Sequence, residues 1–234
     1  MRRHAGTSIL ALLAAAFSLA AAPRHKKGRV PPELGEILER MDEASKNLKT
    51  VSANLENTKV TVVVNDRSTE YGKLYFRNAN SPEILLEFDR PDPKTILFKK
   101  NKAEMYLPKI NQIQEYDLSH HSEIVQQFLL LGFGSESNAL QKLYDIKLVG
   151  EEDVNGDTTA VLELTPKKAS VAAQIAKVRL WINEESWLPA EQKFFEPGGD
   201  YLETKYSSVV TGRDLPPSIF ELPAAQGAKR VKMG

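Results

Sequence analysis

The chain has 234 residues, 41% of them apolar, with 31 Lys and Arg against 31 Asp and Glu and no Cys. That is the size of one globular domain or two small ones. Zero net charge without a long run of like charges excludes the electrostatic grip on a nucleic-acid backbone, and the lack of Cys excludes disulfides, thiolate metal sites and a cysteine nucleophile.

The first residues read as targeting. Arg2, Arg3 and His4 are followed by an apolar run of 12 residues, Ile9–Ala20. This is short of the ~20 residues needed to span a bilayer. Ser18 and Ala20 occupy the −3 and −1 positions of a cut before Ala21. We read residues 1–20 as a secretory signal peptide in preference to an uncleaved anchor. Residues 21–32, rich in Pro, Lys and Arg, read as a flexible tether, and 33–234 as a single domain. Removal of residues 1–20 takes two Arg and no acid with it, so the remainder is acidic by two charges. With no Cys after the run, a lipid anchor there is excluded, and a free extracytoplasmic protein is expected.

From Pro32, Leu34, Ile37, Leu38, Met41, Ala44 and Leu48 recur at helical spacing, with Glu33 and Glu36 in the first turn, which predicts one amphipathic helix. The period then changes to two. Val60, Val62 and Val64 alternate up to the Asn65-Asp66 turn signal. Strands follow around Leu74 and Phe76; Ile84, Leu86 and Phe88; Ile96 and Phe98; Ala103, Met105 and Leu107; and 112–118. Segments this closely spaced predict an antiparallel meander, because parallel pairs need long crossovers.

Next, Ser119 is placed to cap a helix carrying Ile124, Val125, Phe128, Leu129, Leu130, Leu131 and Phe133, which stops at Gly132-Phe133-Gly134; residues 135–143 predict a shorter one. Strands resume at Ile146. Asn155-Gly156 suits a type I′ hairpin. Further strands are centred on Leu162, Leu180, Gln192 and residues 201–208, and a helical turn near Ile219 and a closing Arg230-Val231-Lys232 end the chain.

The expected fold is mainly β: a curled antiparallel sheet of about 11 strands forming an incomplete barrel closed by helices, since so many twisted strands cannot stay flat. Each strand is expected to have one apolar face, giving one concave apolar surface. The helix at 123–133 is apolar on nearly every side in its last two turns. That fits either burial in a large core or a lid with the sheet on one side and an apolar ligand on the other. Gly132 and Gly134 serve equally as hinge or as cap.

Catalytic motifs are weak. Gly132-Phe133-Gly134-Ser135-Glu136 lacks nucleophile-elbow spacing. His120 and His121 point apart on a helix start, which disfavours a metal site there and leaves them as the sole handle for an esterase reading. Glu151-Glu152-Asp153 with Asp157 is explained by the hairpin turn without calcium. No enzyme, metal or cofactor is expected.

Several phrases, in order, resemble the LolA/LolB family of periplasmic outer-membrane lipoprotein carriers and sorting proteins. They are the first helix with Leu48–Leu55 (LKTVSANL), Gly72–Arg77 (GKLYFR), Asn101–Leu107 (NKAEMYL), Leu162–Lys167 (LELTPK), Val178–Asn183 (VRLWIN) with Leu188-Pro189, and a tail with Phe220 before a Pro and a final Val231. The resemblance covers ~200 residues and implies an eleven-stranded incomplete barrel whose apolar cavity holds lipoprotein acyl chains. It also implies an inner-membrane release transporter and an outer-membrane acceptor as partners, transient membrane contact and a monomer in the periplasm; the missing Cys points to a diffusing LolA-like carrier rather than a tethered LolB-like acceptor. Members of the superfamily also include lipid or glycolipid binders and envelope-stress sensors. Family members that shuttle lipoproteins carry an arginine just before a proline after the second strand, holding the lid. Here that stretch is Arg77-Asn78-Ala79-Asn80-Ser81-Pro82, so Arg77 is displaced as a lid or gating candidate.

Exposing acyl chains to water costs ~0.8 kcal/mol per CH₂. A cavity lined by Leu74, Phe76, Ile84, Leu86, Phe88, Phe98, Met105, Phe128, Leu131 and Leu180 is expected to cancel most of that cost. Lipid carriage is thus the leading reading, with a lipid- or glycolipid-sensing interaction module of envelope-stress signalling as the alternative.

Overall fold

A computed structural model describes residues 31–79, 81–119, 131, 133, 136–223 and 226–233. The first element, α1 (Leu34–Asn47), buries Ile37, Leu38 and Met41 along one stripe. Leu48 leaves the helix in an extended conformation, yet stays buried, and turns the chain into the sheet.

Six strands follow as one meander: β1 (Thr50–Thr61), β2 (Asp66–Arg77), β3 (Glu83–Arg90), β4 (Lys94–Lys99), β5 (Lys102–Leu107) and β6 (Gln112–Asp117). After α2 (Ser137–Leu143) a second meander runs through β7 (Tyr144–Val154), β8 (Asp157–Pro166), β9 (Lys177–Asn183), β10 (Pro189–Phe195) and β11 (Tyr201–Thr211), with a short unpredicted helix, α3 (Ala169–Ala172), between β8 and β9. Antiparallel pairing of β1 with β11 joins the meanders. The β7–β8 turn has Asn155 at φ 55° and Gly156 at φ 90°, the left-handed pair a type I′ hairpin requires.

The result is a twelve-stranded sheet in the order β12-β6-β5-β4-β3-β2-β1-β11-β10-β9-β8-β7, with β12 (Lys229–Met233) and β7 as open edges. It is the expected incomplete barrel, with one strand more than the family resemblance implies. β12 departs from the antiparallel rule by pairing parallel to β6. The long connection from β11 across the outer face supplies the crossover that a parallel pair needs.

α1 lies on the inner face. There Ile37, Leu38 and Met41 pack with Leu131, Leu140, Tyr144, Leu162, Leu164, Leu180 and Ile182. Asp42 of α1 accepts hydrogen bonds from the backbone amide and hydroxyl of Ser137, both at 2.6 Å, which ties α2 to α1. A second inner cluster gathers Leu48, Val51, Ala53, Leu74, Phe76, Ile84, Phe133 and Tyr206 under the β1–β3 half.

Two expectations are corrected. Val62–Val64 is a 3-10 turn rather than the end of a strand, and its three side chains are exposed. The ladder to β11 ends at Val60 opposite Tyr201, and Asn65 then adopts the left-handed conformation. β3 and β4 are apolar on both faces rather than one. Leu85 and Leu97 point outward and are buried under Leu215, Ile219, Phe220 and Leu222, so the C-terminal segment straps the outer face.

Candidate functional site

The inner face between β1–β4 and β10–β11 holds a cavity of about 220 Å³. Its walls follow from strand register. Leu74 faces Leu86 and Phe76 faces Ile84 across β2–β3; Leu86 faces Ile96 and Phe88 faces Lys94 across β3–β4; Leu55 faces Tyr206 and Asn57 faces Thr204 across β1–β11. Period-two alternation puts all of these on one side. At Gly72, opposite Phe88, the β2–β3 register shifts, with Asp89 of β3 as the extra residue. A Cβ there would fall 2.1 Å from the Glu87 carbonyl oxygen, so the β2 backbone comes this close to β3 only with glycine.

The lining is mostly apolar: Leu55, Leu74, Ile84, Leu86, Phe88, Ile96, Phe194, Leu202 and Tyr206, with Asn57, Glu70, Lys94, Gln192 and Thr204 as polar members. Each of these polar members has a partner. Thr204 and Asn57 share a hydrogen bond of 2.8 Å, Gln192 donates to the Leu131 carbonyl, and Lys94 pairs with Glu70 at 2.6 Å, its ammonium 4.9 Å from the Phe88 ring centroid. Phe133 meets Tyr206 edge-on at 5.0 Å between centroids, and burial pushes the Tyr206 hydroxyl pKa up.

Of the residues singled out in the sequence, Leu74, Ile84, Leu86 and Phe88 line this cavity. Phe76 and Phe98 belong to the adjoining apolar cluster. Met105, half-buried on β5, faces Ile96. Leu131 and Leu180 are fully buried in the cluster under α1 and are not among the lining side chains, although Phe194 of that cluster and Gln192, which donates to the Leu131 carbonyl, do line the cavity. Phe128, Gly132 and Gly134, with His120 and His121, lie outside the described residues.

Arg77 sits on the other side of the sheet. Its guanidinium donates to Glu83, accompanies Leu215 and stacks 4.5 Å from the Phe220 ring centroid. Position 77 has the parity of Tyr75, so β2 presents it to the strap, whereas the cavity is lined by the even positions Leu74 and Phe76. Among the described residues no group of three or more His, Asp or Glu is placed to hold a metal ion.

The sequence reading missed the β10–β11 wall, Phe194, Leu202 and Tyr206, and the polar members. Leu202 and Tyr206 were visible as alternating residues of one strand. No local pattern points to Glu70 and Lys94, which lie 24 residues apart and meet only across β3.

A family model described as "uncharacterized protein" matches residues 85–216, more than half of the chain. The chain belongs to that family. No curated protein matches it in sequence. In structure it is similar to an uncharacterized conserved protein from Thermus thermophilus, with a TM-score of 0.54 and 14% identity over 85% of this chain and 98% of that one. It is also similar to MucB, with a TM-score of 0.52 and 14% identity over 81% of this chain; the chain spans 62% of that MucB structure. A LolA superfamily protein from Nitrosomonas europaea is 19% identical over 82% of this chain and 99% of that one, with a TM-score of 0.40. The chain shares its fold with MucB and with the Thermus thermophilus protein.

Proposed function

We propose that this chain is a periplasmic carrier that shields the acyl chains of a lipoprotein or another lipid from water in its inner-face cavity during transfer between membranes. The observation that carries this reading is the cavity itself. An empty space of about 220 Å³, walled by leucine, isoleucine and phenylalanine from both meanders, leaves apolar surface for an apolar ligand to cover. At ~0.8 kcal/mol per methylene the transfer of a chain from membrane to cavity is close to neutral, so direction comes from an inner-membrane donor and an outer-membrane acceptor. No side chain acts as nucleophile or general base in this scheme, which is binding without catalysis. A monomer in solution fits a carrier that presents its cavity to each partner in turn.

A sensing role in envelope-stress signalling is the second reading, favoured by one observation. The cavity lies below the ~300–1,000 Å³ typical of small-molecule pockets, and occupancy by a small apolar ligand suits a signal as well as a shipment. The deciding experiment is extraction of the protein purified from its native compartment, followed by mass spectrometry and a solubilisation assay with a labelled lipopeptide. Co-purifying lipid and solubilisation support carriage. An empty protein that leaves the lipopeptide aggregated ends that reading.

A further inference from the structure

The cavity is apolar along its walls but carries one cation and one carboxylate at the end near the β3–β4 turn. Lys94 is the first residue of β4 and Glu70 lies on β2; they pair at 2.6 Å over the Phe88 ring, and each keeps 22% of its side chain exposed. An ammonium has three donors. Glu70 and the ring take part of that capacity and leave the rest open, while the second Glu70 oxygen is free to accept. Both groups line the same space as Leu86 and Phe88, so a chain seated on the apolar wall has its polar end beside this pair.

We infer that the cavity takes a single-chain amphiphile with a zwitterionic headgroup, its phosphate or carboxylate against Lys94 and its ammonium against Glu70. This rests on the lipid-binding reading above and narrows it. A single chain is favoured because a space of about 220 Å³ is small for a ligand with several. The zwitterion follows from charge. The pair is neutral as a unit, so a bare anion meets attraction from Lys94 and nearly equal repulsion from Glu70 at a similar distance. A headgroup carrying both signs is attracted by both, and part-burial keeps water from screening the contacts completely. An uncharged headgroup leaves the pair as it is and gains nothing.

The test measures dissociation constants of the full chain for lysophosphatidylethanolamine, lysophosphatidylglycerol and a monoacylglycerol sharing one acyl chain, by titration below their micellar concentrations. The expected order places the zwitterion first, by about threefold to tenfold, as expected for a part-exposed charge contact. Glu70→Gln is expected to reverse the order in favour of the anionic lipid, and Lys94→Gln to weaken both charged lipids to the level of the monoacylglycerol. The double exchange of Glu70→Lys with Lys94→Glu is expected to keep the zwitterion first. Equal affinity for all three lipids, or an unchanged order in Glu70→Gln, overturns the inference while lipid binding itself stands. Failure of all three to bind the unaltered chain removes the lipid-binding reading and the inference with it.

Discussion

Arg77 and Glu83 face each other across the β2–β3 register, the Arg77 Nε 2.8 Å from Glu83 Oε2, and Phe220 of the C-terminal strap stacks on the guanidinium. Lys99 reaches the second Glu83 oxygen at 2.6 Å. Burial pushes the Glu83 carboxyl up, but hydrogen bonds from Lys99 and Arg77 outweigh it and hold the group below the usual carboxylate range. A depressed folded-state pKa contributes stability above the unfolded value and loses it as pH falls through the folded value. Arg77→Gln is expected to cost about 1–3 kcal/mol in urea unfolding, to raise amide exchange in β12, and to leave lipid affinity unchanged. A change in ligand uptake without a change in stability would return Arg77 to a gating role.

Glu191 and Glu203 behave oppositely on the outer face. Burial, then hydrogen bonding with Glu203, pushes the Glu191 carboxyl up to about 7. Lys193, 2.7 Å from Glu203, overrides burial there and holds Glu203 low. The folded state thus keeps a proton at Glu191 that the unfolded chain loses, so the contribution of this group to stability is fully present below about pH 4.5 and is lost as pH rises through about 7. Glu191→Gln is expected to flatten that decline and to exceed the parent by about 1–2 kcal/mol at pH 8. Unfolding midpoints at pH 5 and pH 8 check it. An identical pH dependence in parent and variant refutes it.

Neighbouring leucines on β3 separate function from stability. Leu86 lines the cavity, whereas Leu85 is buried under the strap. Leu86→Asp is expected to abolish lipid binding with little loss of stability, because the half-buried side chain borders empty space. Leu85→Ala is expected to cost about 2–5 kcal/mol with affinity retained. Denaturant titration and lipid titration on both variants give the comparison, and lost binding in the Leu85 variant alone would contradict the assignment of faces.

Gly72→Ala adds a methyl where the Glu87 carbonyl already stands 2.1 Å away. The backbone of one strand must move, with an expected cost of about 1–3 kcal/mol and weaker lipid binding as the bulge beside Phe88 is lost. Lys73→Ala, one residue on and facing outward, is expected to be near neutral. Thermal unfolding of the pair measures the difference.

Much of the architecture was legible because it is local. The spacing of Leu34, Ile37, Leu38 and Met41 specifies α1, period-two alternation and turn residues such as Asn155-Gly156 specify the strands, and short intervals force the meander. Leu74, Ile84, Leu86 and Phe88 share a face by parity alone. Three things were decided only by tertiary structure. Outward Leu85 and Leu97 needed a cover more than 100 residues away in the chain, the C-terminal strap, which also claims Arg77. Leu131 and Leu180 pack under α1, next to the wall residues Gln192 and Phe194 rather than in the lining, because α1 covers that part of the inner face. Glu70 and Lys94 meet only because β3 lies between their strands. Hydrophobic alternation carries a residue's face but not its partner, whereas a contact across strands depends on register, which is set by the whole sheet.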